Sequence, residues 1–372
     1  IPRRQLRAGS SPALGTIIMK CVIHIGLHKT GSSAIQDFLN NYEDESNFYA
    51  DLADQGNLGN RNHSVPLVGL FKKDYKQYKT FVDYELSNSE IQKIKKSWEE
   101  KLHLSLKKSI SENKSIFFSG EEIGNLRNDE VSNMIDCIKD YHDNILVVGY
   151  IREPISYARS AFQQRLKAGL SHIPQVLNQR FVSKCNKFIN ILGAENVLIK
   201  EFSRKKLKNQ NIVDDFIDTF SLKNSADYVY SNNSSLSGNA IKILFNLNKY
   251  INNKNHFISH FERRRVVSVL RKIFLYDEEI PKDLFINKAN YKGRNWANDR
   301  YGINLPFHKI DDIDNTLEEW LKNDLTEPVS RVISFLINNN IEANKTNFYE
   351  KLLEVCSKDT FAIKELSFQY ND

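Results

Sequence analysis

The stretch 22-VIHIGLHKTGSSAIQDFL-39 predicts a strand, a loop and a helix in direct succession. Its apolar start is typical of a buried strand, and its small polar residues are typical of a turn. Gly26 and Gly31 have the G-x-x-x-x-G spacing of a nucleotide-phosphate loop. After Gly31, where an ATP-binding loop needs lysine, the chain has Ser32, and the lysine of the loop comes earlier, at Lys29. The stretch therefore favours an anion-binding loop and disfavours a kinase or ATPase.

The chemistry of such a loop does not require the missing lysine. Glycines let successive backbone N–H groups converge on an anion, and the N-terminus of the following helix adds a partial positive charge. The hydroxyls of Ser32 and Ser33 can donate to phosphate oxygens or cap the helix. Lys29 can place a positive charge on a bridging oxygen. An ordinary strand-turn-helix with polar turn residues is the alternative interpretation.

A second motif follows another apolar run. Residues 144–151 predict a buried parallel strand, which ends at Arg152, and residues 155–167 predict a helix. Ser160 is two helical turns into that helix, so we expect it to face the same crevice as Arg152. A guanidinium group suits a terminal phosphate because it can bind two oxygens at once. A surface Arg152 paired with Glu153 is the alternative interpretation.

Both motifs resemble those of one enzyme family. The first resembles the 5′-phosphosulfate loop of sulfotransferases that use 3′-phosphoadenosine 5′-phosphosulfate (PAPS), in particular bacterial members that act on carbohydrates. The pattern R-x-P-x-S-Y-x-x-S, from Arg152 to Ser160, resembles their 3′-phosphate site. The resemblance covers about residues 19–250. It implies PAPS as the donor, 3′-phosphoadenosine 5′-phosphate (PAP) as the product, and no required metal.

The resemblance also implies a fold and a cofactor site. The fold is α/β, with a mostly parallel central sheet flanked by helices, as in P-loop NTPases, and a helical C-terminal extension. The residues implied in cofactor binding are His28, Lys29, Thr30, Gly31, Ser32, Ser33, Arg152 and Ser160.

The acceptor base is expected between the two motifs. Residues 115–119 predict a strand that leads to Glu121 and Glu122. In the resembled family the strand before the arginine strand delivers the base, a His in cytosolic members and a Glu in several carbohydrate-modifying ones. This assigns the base to Glu121, with Glu122 as the alternative; both could instead be solvated loop acids or helix caps. His63, after the Gly/Asn-rich loop 56–60, is the second candidate, although a lone histidine is more often structural.

Strands and helices alternate along most of the chain. This alternation predicts a mostly parallel sheet that binds ligands at the carboxyl ends of its strands. The predicted strands are 20–25, 47–49, 115–119, 145–151 and 197–200. The predicted helices include 33–40, 88–113, 128–139, 155–167, 174–192, 212–220 and 238–250.

The C-terminal third is predicted to be largely helical. Residues 233–237 resemble the N-x-S-L-S segment of bacterial sulfotransferases, and they either contact the nucleotide or cap the next helix. The charge run 261–265 is typical of a solvated helix face. Residues 290–296 mix glycine, cations and aromatics and predict a loop that closes over the cofactor phosphate or an acceptor sugar. We expect a core domain at 19–250 and a helical region at 251–372 packed on it.

Composition narrows the classes of protein. The 372 residues are 41% hydrophobic, enough for one large core or two modest ones, and carry a net charge of +6. This mild basicity suits an anionic cofactor and an anionic glycan, whereas no basic tract interleaved with stacking aromatics suggests nucleic acid. No run of about 18 apolar residues predicts a membrane span, which leaves peripheral membrane contact open.

The cysteines and the N-terminus add two expectations. The four cysteines are widely spaced and form no metal or redox pair, which fits a reducing, cytoplasmic setting. Residues 1–18 are rich in Pro, Arg, Gly and Ser and lack the apolar core of a signal peptide. We interpret them as an added or disordered tail ahead of a native start at Met19, with a natural basic arm as the alternative.

These patterns predict a PAPS-dependent sulfotransferase that acts on a hydroxyl of a carbohydrate or glycolipid. Glu121 is expected to accept the hydroxyl proton, and Lys29 to neutralise the charge that develops on the leaving oxygen. One alternative is a P-loop kinase of a small molecule. The other is an inactive nucleotide- or glycan-binding protein of the same fold. No pattern in the sequence indicates an oligomeric state.

Overall fold

The computed structural model describes residues 19–40, 42–53, 61–223, 235–308 and 316–357. Three predicted features therefore lie wholly or partly outside the described residues: the tail 1–18, the loop 56–60, and Asn233 and Ser234 of the N-x-S-L-S segment.

Five parallel strands form the central sheet, in the spatial order β2-β3-β1-β4-β5. Their bounds are β1 Cys21–Ile25, β2 Asn47–Tyr49, β3 Ser115–Gly120, β4 Ile145–Arg152 and β5 Val197–Phe202. In the middle strand, Cys21 pairs with Ile116 on one side and with Ile145 on the other. The carboxyl ends of β1, β3 and β4 are therefore neighbours, and the predicted α/β fold with a parallel sheet is confirmed.

Helices cover both faces of the sheet and form the C-terminal region. Their bounds are α1 Ser32–Leu39, α2 Ser64–Phe71, α3 Lys79–Asp83, α4 Asn88–Glu112, α5 Asn128–Lys139, α6 Pro154–Lys167, α7 Phe181–Leu192, α8 Ile212–Phe220, α9 Gly238–Asn253, α10 His260–Ile273, α11 Arg294–Tyr301, α12 Leu317–Lys322, α13 Thr326–Asn338 and α14 Phe348–Ser357. Within the described ranges no helix is long and apolar enough to span a bilayer.

The two faces of the sheet have separate hydrophobic clusters because successive strand side chains point in opposite directions. Val22 packs with α1 and α8 through Ile35 and Phe216. Ile23 belongs to the opposite cluster, which includes Trp98 of α4 and residues of α2, α5 and α7. The sheet is thus buried on both sides, and its carboxyl edge is left for a site.

The C-terminal helices have a third hydrophobic cluster, and α6 is part of it. Phe162 of α6 and Phe245 of α9 are buried together with residues of α10, α12, α13 and α14. The helix that follows the β4 strand therefore connects the sheet to the C-terminal helical region.

Two predicted segments differ locally from the structure. The helix predicted from residue 174 begins at Phe181, because Arg180 has a left-handed backbone (φ 56°) that an α-helix cannot contain. The loop predicted at 290–296 ends early, since α11 begins at Arg294 directly after Gly293 (φ 101°). In both places a single left-handed residue sets the start of the helix.

A buried carboxylate joins α8 to the sheet. Asp215 of α8 accepts a hydrogen bond from the hydroxyl of Tyr150 on β4 at 2.9 Å, and it pairs with the ammonium of Lys200 on β5 at 2.6 Å. It also accepts from the backbone N–H of Lys208 at 3.2 Å. Asp215 thus provides an acceptor for polar side chains of both β4 and β5, and it links these strands to α8.

Replacing Asp215 with alanine is expected to destabilise the protein by about 2–4 kcal/mol, because the buried hydroxyl of Tyr150 loses its acceptor and the half-buried ammonium of Lys200 loses its carboxylate. Urea unfolding followed by circular dichroism measures this change. The matched control is Asp218→Ala on the same helix, which removes only an exposed pair with Lys208 and should change little. Equal effects of the two substitutions would contradict a structural role for Asp215.

Candidate active site

The loop between β1 and α1 has backbone donors that bind no acceptor among the described residues. Lys29 (φ 68°) and Gly31 (φ 80°) are both left-handed, so the chain curls before α1 begins. The hydroxyl of Thr30 donates to the carbonyl of Leu27 at 2.5 Å and closes the turn. From residue 28 to residue 33, no backbone N–H donates a hydrogen bond to a described residue. Such a run of unpaired N–H groups at a helix N-terminus suits an anion.

Two serines at the start of α1 add hydroxyls to this loop. Ser32 is 1% exposed, and its Oγ has no hydrogen-bond partner among the described residues. Ser33 is half-buried. The N-cap of α1 is Gly31 and no side chain caps the helix, so neither serine serves as a cap. The buried, unpaired Ser32 hydroxyl remains available to a ligand oxygen.

Gly26 lets the end of β3 approach this loop. A Cβ at Gly26 would lie 2.5 Å from Oγ of Ser32 and 2.8 Å from Cγ of Glu121. Any larger residue would displace one of the two. This glycine is thus required by close packing, and it brings the phosphate-type loop and the predicted base together.

Glu121 pairs with a histidine of the loop. Nδ1 of His28 lies 3.1 Å from Oε2 of Glu121. Burial would raise the pKa of Glu121, but the hydrogen bond from His28 and the charges of His28, Lys29 and His24 hold it below its ordinary value. Glu121 is therefore ionised at neutral pH and can accept a proton. When Nδ1 of His28 donates to it, Nε2 of the same ring is left as a second acceptor.

The charges of one carboxylate and one guanidinium act on the side chain of Lys29. Burial lowers its pKa, the charge of Glu121 opposes this, and the charge of Arg152 adds to it. The lysine side chain is thus close enough to both groups to interact with them. The structure brings Lys29 and Glu121, the two residues predicted for chemistry, to one crevice.

Arg152 at the end of β4 closes the other side of the loop. Its Nη1 donates to the backbone carbonyl of Lys29 at 3.0 Å, and its Nη2 donates to Oγ of Ser156 at 3.2 Å. Burial and the charge of Arg159 lower the pKa of Arg152 to about 10. Ser160 is half-buried one turn further along α6 and makes no hydrogen bond to Arg152. Ser156, one helical turn after Arg152, is the serine that sequence reasoning passed over.

The two other candidate bases lie in different surroundings. His63 is completely buried and stacked on Tyr49 at 4.1 Å, and its Nδ1 accepts from the backbone N–H of Ser119 at 3.3 Å. Burial lowers the pKa of His63 to about 3. Glu122 accepts a hydrogen bond from the hydroxyl of Tyr78 at 2.9 Å, away from the His28 contact. The buried ring of His63 is therefore closed to an acceptor hydroxyl, whereas Glu122 is half-buried like Glu121.

Sequence reasoning missed a buried lysine near Glu121. Lys184 of α7 is 6% exposed and makes no side-chain hydrogen bond to a described residue. Burial lowers its pKa to about 8, although the charge of Glu121 opposes the shift. The sequence pattern that could have predicted this burial is the position of Lys184 among the apolar residues of α7: Phe181, Cys185 and Phe188.

Two other predicted segments pack elsewhere or act as caps. Oγ of Ser237 accepts from the backbone N–H of Ala240 and so caps α9. In the segment 290–296, Nε1 of Trp296 donates to Asn186 of α7 at 3.0 Å. Across the described part of the chain, no three His, Cys, Asp or Glu side chains come together in a way that could hold a metal ion.

Comparisons with known proteins add one distant likeness. No protein-family model and no curated protein matches the chain. Among solved structures, the sulfotransferase domain from the curacin biosynthetic pathway matches with a TM-score of 0.32 and 13% sequence identity, over 56% of this chain and 76% of that chain. A likeness this weak carries no argument, so the assignments below rest on the geometry of this chain.

Replacing His28 with alanine is expected to raise the pKa of Glu121, because burial then acts with less opposition from a hydrogen-bond donor. Carboxyl ¹³C chemical shifts across a pH titration measure that pKa. His172→Ala, at an exposed position, is the control. An unchanged Glu121 titration in the His28 variant would show that the pair does not hold the carboxylate ionised.

Proposed function

We propose that this protein transfers a sulfuryl group from PAPS to a hydroxyl of a carbohydrate or glycolipid. The observation that carries the proposal is the run of backbone N–H groups at 28–33, none of which donates to a described residue. The run includes Lys29, and Arg152 lies beside it. This arrangement suits a ligand with separated anionic groups. The position after Gly31 holds serine, which disfavours the rival P-loop kinase.

The residues present fit such a cofactor. The N–H groups of the loop and the orphan hydroxyl of Ser32 would hold the 5′-phosphosulfate. Arg152 would hold the 3′-phosphate with Ser156 and Ser160, since its guanidinium has five donors and only two of them are directed to oxygens of described residues. When bound, PAPS supplies an activated sulfuryl group on a good leaving group.

The chain supplies proton acceptance and charge compensation. Glu121 would take the proton of the acceptor hydroxyl, and it is kept ionised by His28. Lys29 would offset the negative charge that develops on the leaving phosphate oxygen. Such electrostatic assistance is strongest for groups already fixed in place. The backbone of Lys29 is held by the bond from Arg152 to its carbonyl.

PAP is expected to raise the melting temperature of the protein clearly more than ATP with Mg²⁺ does, because Arg152 is proposed to bind a 3′-phosphate that ATP lacks. Thermal unfolding with each ligand at equal concentration measures this linkage. In Arg152→Ala the advantage of PAP over ATP should disappear. Equal or stronger stabilisation of the unsubstituted protein by ATP would favour the kinase.

Glu121→Gln is expected to reduce sulfuryl transfer by about two to four orders of magnitude while PAP still binds, because the amide keeps the shape but cannot accept the proton. Transfer from labelled PAPS to a panel of sugars measures the rate. Glu122→Gln is the matched control and should retain activity, since Glu122 contacts Tyr78.

The same assay separates the remaining possibilities. A larger loss in His28→Gln than in Glu121→Gln would move the base to Nε2 of His28, with Glu121 as its positioning partner. PAP binding without transfer to any sugar would favour an inactive binding protein.

A further inference from the structure

Two large aromatic side chains are exposed where α10 begins. Phe257, in the turn after α9, is 87% exposed, and Phe261, in the first turn of α10, is 70% exposed. Phenylalanine is among the residues most often buried, because removing its ring from water is favourable. Two such rings only four positions apart therefore indicate a surface that binds a partner.

The same segment carries an excess of positive charge. Residues 254–265 contain four lysines or arginines and one carboxylate, that of Glu262. Glu262 is engaged in the capping box of α10, where it accepts from the backbone N–H of Ser259 at 2.6 Å. In contrast, the cationic side chains of Lys254 and Arg264 are exposed. The two phenylalanines thus lie in a stretch whose exposed charges are positive.

The end of α6 extends this basic surface. Nδ2 of Asn248 in α9 donates to the carbonyl of Leu166 in α6 at 2.8 Å, and its Oδ1 accepts from Nη1 of Arg263 in α10 at 2.8 Å. These bonds hold the end of α6 against the start of α10. Residues 165–172 add two cations and no carboxylate. We call residues 165–172 and 254–265 together the basic end.

The other end of α10 has the opposite charge. Leu275 and Tyr276 are also exposed there. They are followed by three acidic residues, Asp277, Glu278 and Glu279. Exposed apolar side chains thus occur at both ends of the helix, but only those at its start are accompanied by cations.

An anionic lipid surface matches the basic end best. Lysine and arginine are attracted to anionic headgroups, and apolar side chains insert where the headgroups meet the acyl chains. Single-stranded nucleic acid is bound instead in a basic groove whose aromatic rings stack on successive bases. Phe257 and Phe261 are two of the three most exposed large apolar side chains among the described residues. Such exposure suits insertion into a broad surface.

We propose that the basic end binds the surface of an anionic lipid bilayer, with Phe257 and Phe261 inserted among the headgroups. The crevice lies at the start of α6, where Ser156 contacts Arg152. Since α6 has 14 residues, its two ends are about 20 Å apart. Contact with a bilayer would therefore leave the crevice open. This inference goes beyond the proposed function and does not depend on it.

Vesicle flotation of the full chain tests the proposal. Vesicles of phosphatidylcholine alone are compared with vesicles of phosphatidylcholine and phosphatidylglycerol in equal parts. The protein is expected to bind the anionic vesicles at least about tenfold more strongly, and less strongly as salt is added. Phe257→Ser with Phe261→Ser is expected to weaken this binding about tenfold or more. The matched control, Leu275→Ser with Tyr276→Ser, removes an exposed apolar pair beside the acidic residues and should leave binding unchanged.

Three results of the flotation would overturn the proposal: equal binding to both kinds of vesicle, full binding by the phenylalanine variant, or an equal loss in the control variant. Thermal unfolding checks that both variants fold. Sedimentation that shows a dimer of the unsubstituted protein and a monomer of the phenylalanine variant would assign the surface to a second copy. Tighter binding to a single-stranded oligonucleotide than to the anionic vesicles would assign it to nucleic acid.

Discussion

The site depends on the contact between the ends of β1 and β3. The N–H of Gly26 donates to the carbonyl of Gly120 at 3.1 Å, which extends the pairing of the two strands by one residue. Directly beyond this bond β1 turns into the loop that precedes α1, and β3 leads to Glu121. Since Gly26 has no Cβ, Ser32 and Glu121 can approach the same point. Parallel pairing and one missing side chain therefore bring a phosphate-type loop and a carboxylate together.

Charge balance then determines what the crevice accepts. One ionised carboxylate, Glu121, faces His28 and Lys29, with Lys184 behind it and Arg152 across the loop. Lys29, Lys184 and Arg152 are partly or fully buried, and none of them forms an ion pair with a described carboxylate. Burial of these positive charges costs the folded protein desolvation free energy. A bound anion would offset part of that cost, which favours ligands with several negative groups over neutral ones.

The parts of the fold with strong local signals could be predicted from the sequence. The apolar runs at 145–151 and 115–119 gave strands with nearly the observed bounds, because buried parallel strands are continuously apolar. The G-x-x-x-x-G spacing located the loop, since only a tight turn needs glycine there. In contrast, the start of α7 was missed because Arg180 adopts a left-handed backbone without being glycine.

The missed parts of the site depend on tertiary contacts. The pairing of His28 with Glu121 joins residues far apart in the chain and follows from strand order. The complete burial of His63 likewise follows from its stacking on Tyr49. Sequence patterns thus identified candidate residues for the crevice, whereas tertiary packing determines which of these candidates lie next to one another.

Helix α6 belongs to two parts of the molecule at once. Its first turn supplies Ser156 to the guanidinium at the strand end, while its apolar face is part of the cluster formed by the C-terminal helices. A ligand that immobilises the first turn must therefore also oppose local opening of α9 and α10, although it touches neither helix. Ligand binding in the crevice would then slow amide hydrogen exchange in the C-terminal helices, which the ligand does not contact.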